Sequence, residues 1–175
     1  MAVPVFDLSE YRRRIGQRLG SSHWVTITQD MIDQFGRVTL DPDPMHIDPQ
    51  WCEKHSPFTT TIAFGFLTVS LLTHLLHDVL QYGRDAHVGA GGYGLNYGFD
   101  HLRLVAPVPV GARVRGHFTL AELRERGPGE VIQAIDCEIE VEGREKPALV
   151  ARWLSLLVNE PGHERIKANA GARSH

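Results

Sequence analysis

Apolar and polar positions divide the chain into a helical first half and an alternating second half. From Gly65 to Leu80 the apolar residues Phe66, Leu67, Val69, Leu71, Leu72, Leu75, Leu76, Val79 and Leu80 cover more than half of a helix circumference. Such a helix is mostly buried. It is too short for a bilayer span and carries too many polar residues, among them Thr68, Ser70, Thr73, His74, His77 and Asp78, so the pattern puts it at the centre of a domain. Beyond it the period changes from helical to two. Leu95, Tyr97 and Phe99 alternate, then Val114, Gly116, Phe118 and Leu120, then Val131, Gln133, Ile135, Cys137, Ile139 and Val141. These segments predict strands near 95–106, 113–125, 130–142 and 148–158. The breaks at 107–111, 127–129 and 142–144 supply turns, and their shortness predicts an antiparallel meander. A buried helix followed by long antiparallel strands is an α+β pattern, a sheet wrapped around one helix.

Ahead of the helix the signals are shorter. Residues 3–19 mix apolar positions with Arg12, Arg13 and Arg14, which suits an N-terminal helix or arm on the main body. His23 to Ile27 is rich in β-formers, and Thr28 is a candidate cap for a helix with Met31, Ile32, Phe35 and Val38 on one face. A brief helix is predicted from Pro49 to His55, ended by Ser56-Pro57-Phe58. Residues 83–94 are rich in glycine, and 89–94 satisfy GxGxxG by letter. A dinucleotide site needs a strand before that motif and a helix after it, the reverse of the order here. One domain over residues 1–160 and a polar tail over 161–175 are expected.

Candidate chemistry enters between the two short helices, in Asp41-Pro42-Asp43-Pro44-Met45-His46-Ile47-Asp48. The prolines fix their own φ and push Asp41 and Asp43 toward extended backbone, which predicts a stiff, polar, non-helical loop. Such a loop holds a carboxylate and an imidazole in one geometry, as two groups sharing one water require; Asp41 and His46 are that pair. The same residues also suit plain structural work: Asx turns at Asp41 and Asp43, and Asp48 as the cap of a helix beginning with Pro49. Spacing alone leaves both readings open. His74 and His77 stand three apart, a spacing metal sites use, but no acidic partner motif accompanies them and an exposed polar face is expected.

Composition narrows the partners. Hydrophobic residues make up 42%, charged residues 22%, and the net charge is -3, the profile of an ordinary soluble globular protein. Without a basic stripe, no nucleic acid partner is expected. No long apolar segment follows the N-terminus, so neither a leader nor a membrane partner is expected, and a cytoplasmic protein is the default. Cys52 and Cys137 lie far apart in non-motif contexts and are read as reduced thiols.

Three motifs in order resemble the MaoC-like dehydratases, which include (R)-specific enoyl-CoA hydratases, and within them the branch similar to nodulation protein N. The first is Asp41-Pro42-Asp43-Pro44-Met45-His46, similar to the hydratase motif. The second, Ile62-Ala63-Phe64-Gly65-Phe66-Leu67-Thr68, opens the central helix. The third runs from Asn96-Tyr97-Gly98-Phe99-Asp100 through Arg103, Ala106 to Gly111, and Arg113-Val114-Arg115. The resemblance covers about residues 17–158 and implies a hot-dog fold, pairing into a homodimer or a dimer of dimers, and no cofactor or metal. By position it implies that Asp41 and His46 hold and activate water, and that the N–H of Gly65 binds the thioester oxygen. Phe64 and Asn96 are the implied substrate-binding positions. The implied reaction is reversible hydration of a trans-2-enoyl-CoA to the (R)-3-hydroxyacyl-CoA, with an acyl-CoA-binding protein without turnover, or a thioesterase, as alternatives on the same fold. The chain departs from the family pattern at Leu40 (usually Gly), Asp43 (usually Asn) and Phe64 (usually His). If the glycine uses positive φ, Leu40 implies strain or a shifted Asp41.

Overall fold

The structure, a computed structural model, describes residues 11–81 and 92–159. The tail, most of the glycine-rich segment and residues 3–10 of the expected N-terminal arm lie outside them.

Local chemistry sets the first half. Helix α1 spans Gln29–Thr39 and begins where the Thr28 hydroxyl accepts from the Met31 N–H at 3.2 Å. Ile32 is fully buried, with Met31 and Phe35 packed against the core. Val38, expected on that face, is 77% exposed. Six residues beyond Ile32, at 3.6 residues per turn, it lies about 240° round the helix and faces outward. The proline-rich segment is not non-helical throughout: Pro44–Ile47 forms a single turn, α2, and Pro49–His55 forms α3. Both prolines occupy the first helical position, where a missing N–H costs nothing and φ is already set. The Asp43 carboxylate accepts from Met45 N–H and the Asp48 carboxylate from Trp51 N–H, each at 2.9 Å, so both caps are filled.

Helix α4 runs from Gly65 to Leu80, as the periodicity predicts. Leu67, Leu72, Leu75 and Leu76 are buried; each such side chain stabilises the fold by roughly 1.5–3 kcal/mol. Phe66 departs from the apolar stripe and is 73% exposed.

Among the described residues, six strands make one antiparallel sheet: β1 (Arg18–Ser21), β2 (Val25–Thr26), β3 (Gly92–Leu104), β4 (Arg113–Gly127), β5 (Glu130–Val141) and β6 (Leu149–Asn159). The order is β1-β4-β5-β6-β3, with β2 also on β4. Val114, Phe118 and Leu120 of β4, Ile135, Cys137, Ile139 and Val141 of β5, and Leu149, Ala151 and Trp153 of β6 join the helix leucines in one core cluster. Intervening residues carry ion pairs, such as Arg115 with Glu140 at 2.6 Å and Arg152 on both oxygens of Asp136 at 2.7 and 2.8 Å. Both cysteines are free and buried, and burial pushes the Cys137 thiol up to about 12. No helix of the described residues is long and apolar enough to cross a membrane.

The expected meander holds for β4, β5 and β6 but not for β3, which crosses to the far edge and pairs with β6. The connection back to β4 carries Pro107 and Pro109 and bonds elsewhere. Ala63 N–H donates to the Val108 carbonyl at 2.8 Å, and Val110 N–H to the Thr61 carbonyl at 3.0 Å. This crossover therefore lies along the segment that leads into α4, with one isolated antiparallel bridge between Ile62 and Pro109.

Candidate active site

The carboxylate end of the site is shaped by the close of α1. Leu40 adopts φ 58° and ψ 32°, the left-handed conformation, and the Asp41 N–H returns to the Gly36 carbonyl at 3.0 Å. This is the positive φ at which glycine is the easier residue, and Leu40 accepts the strain; its side chain is 88% exposed. The chain then turns at Asp41, whose Oδ1 accepts from the Asp43 N–H at 3.1 Å.

His46, in α2, is held by its ring. Its Nδ1 lies 2.7 Å from the Ile62 carbonyl oxygen. A carbonyl only accepts, so Nδ1 carries a proton, and in the neutral imidazole Nε2 is left with the free lone pair. One face of the ring lies against Phe64, centroids 3.9 Å apart and planes tilted by 35°. Beneath the turn, the Cys52 thiol donates to the Pro44 and Met45 carbonyls at 3.5 and 3.3 Å. Burial, with the Asp48 and Asp43 charges adding, raises that thiol's pKa, so it remains a neutral donor.

Phe64 joins the parts. It is buried, packs on Phe35 at 5.3 Å and on His46, and immediately precedes Gly65. Gly36 passes close beside it: a Cβ there would sit 3.1 Å from both Phe64 Cζ and the Asp41 carbonyl oxygen. The backbone of Asp41, the ring of His46 and the start of α4 thus meet around one phenyl ring. Phe64, expected to touch substrate, is placed where it supports the imidazole.

Gly65 opens α4 with no side-chain cap. The first N–H groups of a helix lack intrahelical acceptors, and the dipole adds positive potential, so an end of this kind suits a developing negative charge. A Cβ on Gly65 would collide with Leu104 Cδ1, so the end of β3 walls this position. Asn96 is the exception among the predicted residues. It lies eight positions before Leu104 on the same strand, roughly 26 Å away at about 3.3 Å per residue. Within one chain it stands apart from the other four.

Sequence reasoning missed the Ile62 carbonyl, Leu104, Gly36, and a polar pair, half-buried Gln29 and buried Thr61. Gly36 alone carried a signal, since a lone glycine inside a helical pattern usually has a packing reason.

An antiparallel sheet closed on one long helix defines a hot-dog protein. Residues 10–140 match the family model described as MaoC like domain, and the chain belongs to that family. It is 38% identical over 155 residues to nodulation protein N of Rhizobium leguminosarum bv. viciae, covering 89% of this chain and 93% of that protein. It is 40% identical over 136 residues to 3-hydroxyacyl-thioester dehydratase Z of Mycobacterium tuberculosis, covering 78% and 85%. Among solved structures, the (R)-hydratase from A. caviae involved in PHA biosynthesis superposes with a TM-score of 0.61 at 23% identity, covering 84% of this chain and 96% of that one. That likeness speaks for the fold.

Proposed function

We propose that this protein is a hydro-lyase that reversibly hydrates a trans-2-enoyl-CoA to the (R)-3-hydroxyacyl-CoA. The observation that carries the reading is His46 with its Nδ1 proton committed to the Ile62 carbonyl, which in the neutral ring leaves Nε2 as the base. In this reading Nε2 takes a proton from water as the oxygen attacks C3, Asp41 orients that water, the Gly65 N–H receives the charge that develops on the thioester oxygen, and the proton held on Nε2 passes to C2 as the enolate collapses to the thioester. In the reverse direction Nε2 takes the proton from C2 and gives it to the hydroxyl that leaves C3 as water. The dehydratase name borne by a 40% identical relative supports this reaction class.

The proposal includes a homodimer, or a dimer of dimers, in the cytoplasm. Strand β3 is at the edge of the sheet with Tyr93, Leu95, Tyr97 and Phe99 partly exposed, a liability in water unless another strand covers it. Asn96 on that strand is then expected to serve the site of a second copy. A light-scattering mass equal to one chain at micromolar concentration would contradict this part.

The test of the chemistry is kcat/KM on a panel of enoyl-CoA chain lengths, read by loss of the conjugated thioester absorbance. Asp41→Asn and His46→Gln should each lower it on the order of 100- to 10,000-fold, the usual worth of a positioned acid or base. The double variant should be little worse than the poorer single one, because groups acting as a unit are not additive. Parent-like rates in either single variant would end the mechanism. Release of free CoA would point to a thioesterase, and binding without turnover to an acyl-CoA-binding protein.

A further inference from the structure

We infer that Gln29 is a positioning residue for His46, acting through Thr61. The rate readout of this inference rests on the hydration reading above, and its spectroscopic readout does not.

Gln29 is the first residue of α1, and its carboxamide makes three bonds. Nε2 donates to the His46 carbonyl at 2.9 Å and to Asp33 Oδ1 at 2.7 Å, while Oε1 accepts from the Thr61 hydroxyl at 2.5 Å. The orientation of the amide follows from its neighbours: turned over, its oxygen would face two acceptors. Thr61 is fully buried, and its carbonyl accepts from Val110 N–H at 3.0 Å, so it is fastened to the crossover. The next residue is Ile62, whose carbonyl holds His46 Nδ1 and whose N–H donates to the Met45 carbonyl at 3.4 Å.

Two adjacent residues therefore grip His46 from two sides. Ile62 holds the ring directly, and Thr61 holds the His46 backbone through Gln29. The circuit is closed, which fixes the separation between the His46 main chain and the Ile62 oxygen. That separation decides whether Nδ1 stays on the carbonyl and Nε2 stays free as the base. With Gln29 cut out, α2 remains capped by Asp43 and keeps the long Ile62 N–H bond to the Met45 carbonyl, but the His46 carbonyl itself loses its tie to Thr61, and the Nδ1 bond lengthens or exchanges with water.

The test uses the full chain with Gln29→Met, which keeps length and loses all three bonds, Thr61→Val, which loses the hydroxyl, and Thr61→Ser, which restores it. On a turned-over enoyl-CoA, Gln29→Met and Thr61→Val should lower kcat on the order of 10- to 100-fold, with KM within about two-fold, since a displacement near 1 Å costs rates of that order. Thr61→Ser should recover most of the loss. Independently, 15N spectra of the imidazoles, with His46 assigned by His46→Gln, should show one Nδ1–H form in the parent and an exchanging mixture in Gln29→Met and Thr61→Val. A purely structural role would lower the melting temperature and leave both readouts at parent values; folded variants with that behaviour overturn the inference. Should Gln29→Met not fold, the Thr61 pair decides, because it leaves both bonds donated by Gln29 in place. Should the parent turn over no enoyl-CoA, the hydration reading falls while the imidazole spectra still decide the role of Gln29.

Discussion

Leu40 holds a left-handed backbone at the point where the chain leaves α1 for Asp41. For a residue with a Cβ that conformation costs roughly 1–2 kcal/mol, while a glycine would lose about 0.5–1 kcal/mol more in backbone entropy on folding. Strain is the larger quantity, and the side chain is solvent-exposed, so Leu40→Gly is expected to raise stability by about 0.5–1 kcal/mol in urea titrations. A drop in the midpoint would mean that the leucine makes contacts worth more than the strain. Among neighbouring residues, Asp48 was legible as the cap of the helix that Pro49 begins, whereas Asp43 was legible as a local turn and not as the cap of the helical turn that Pro44 begins. Gln29 was not legible. Its partners His46 and Thr61 are 17 and 32 positions away, and no local pattern records such a bond.

At the scale of the element, α4 was readable to its ends because its apolar stripe begins after a glycine and runs for four turns. Alternation in β4 and β5 told which face was buried, whereas the alternating Leu95, Tyr97 and Phe99 of β3 are exposed, and in no strand does it carry information on which strands are neighbours. Hence β3 was readable as a strand and not as the partner of β6. The close approach of β3 to the helix start makes a separate expectation. Gly65→Ala drives a methyl into Leu104 Cδ1, the end of a flexible side chain, so the protein should fold with Leu104 displaced. Leu104→Ala in the same chain should restore the melting temperature toward that of Leu104→Ala alone. A double variant no more stable than Gly65→Ala would place the conflict in the backbone of α4 instead.

Across the whole molecule, carboxylates stitch elements together. Arg152 bonding holds Asp136 below the usual carboxylate range and ties β5 to β6; Arg115, then His117, does the same for Glu140 between β4 and β5. The His23 N–H and imidazole lower Asp78 and fasten α4 to the segment before β2. A carboxyl with a folded pKa below its unfolded one gives its full stabilisation above the unfolded value near 4, and loses it as pH falls toward the folded value. Stability should therefore be level in these groups near neutrality and decline below about pH 4 to 5. The Asp136–Arg152 pair is well exposed to solvent, so Asp136→Asn should cost no more than about 1 kcal/mol at pH 7 and less at pH 3. Urea midpoints for parent and variant at the two pH values check this, and an equal gap at both would contradict it.

The acceptor that orients His46 belongs to the main chain, and every amino acid supplies one. Substitution at position 62 cannot delete that oxygen; it can only move it by disturbing a buried side chain. Selection on this contact thus acts through shape and not through the chemical identity of a residue. A saturation library at position 62 should sort by apolar volume, with Val and Leu near the parent and small or charged residues failing, the pattern of a core site at a place that governs proton transfer.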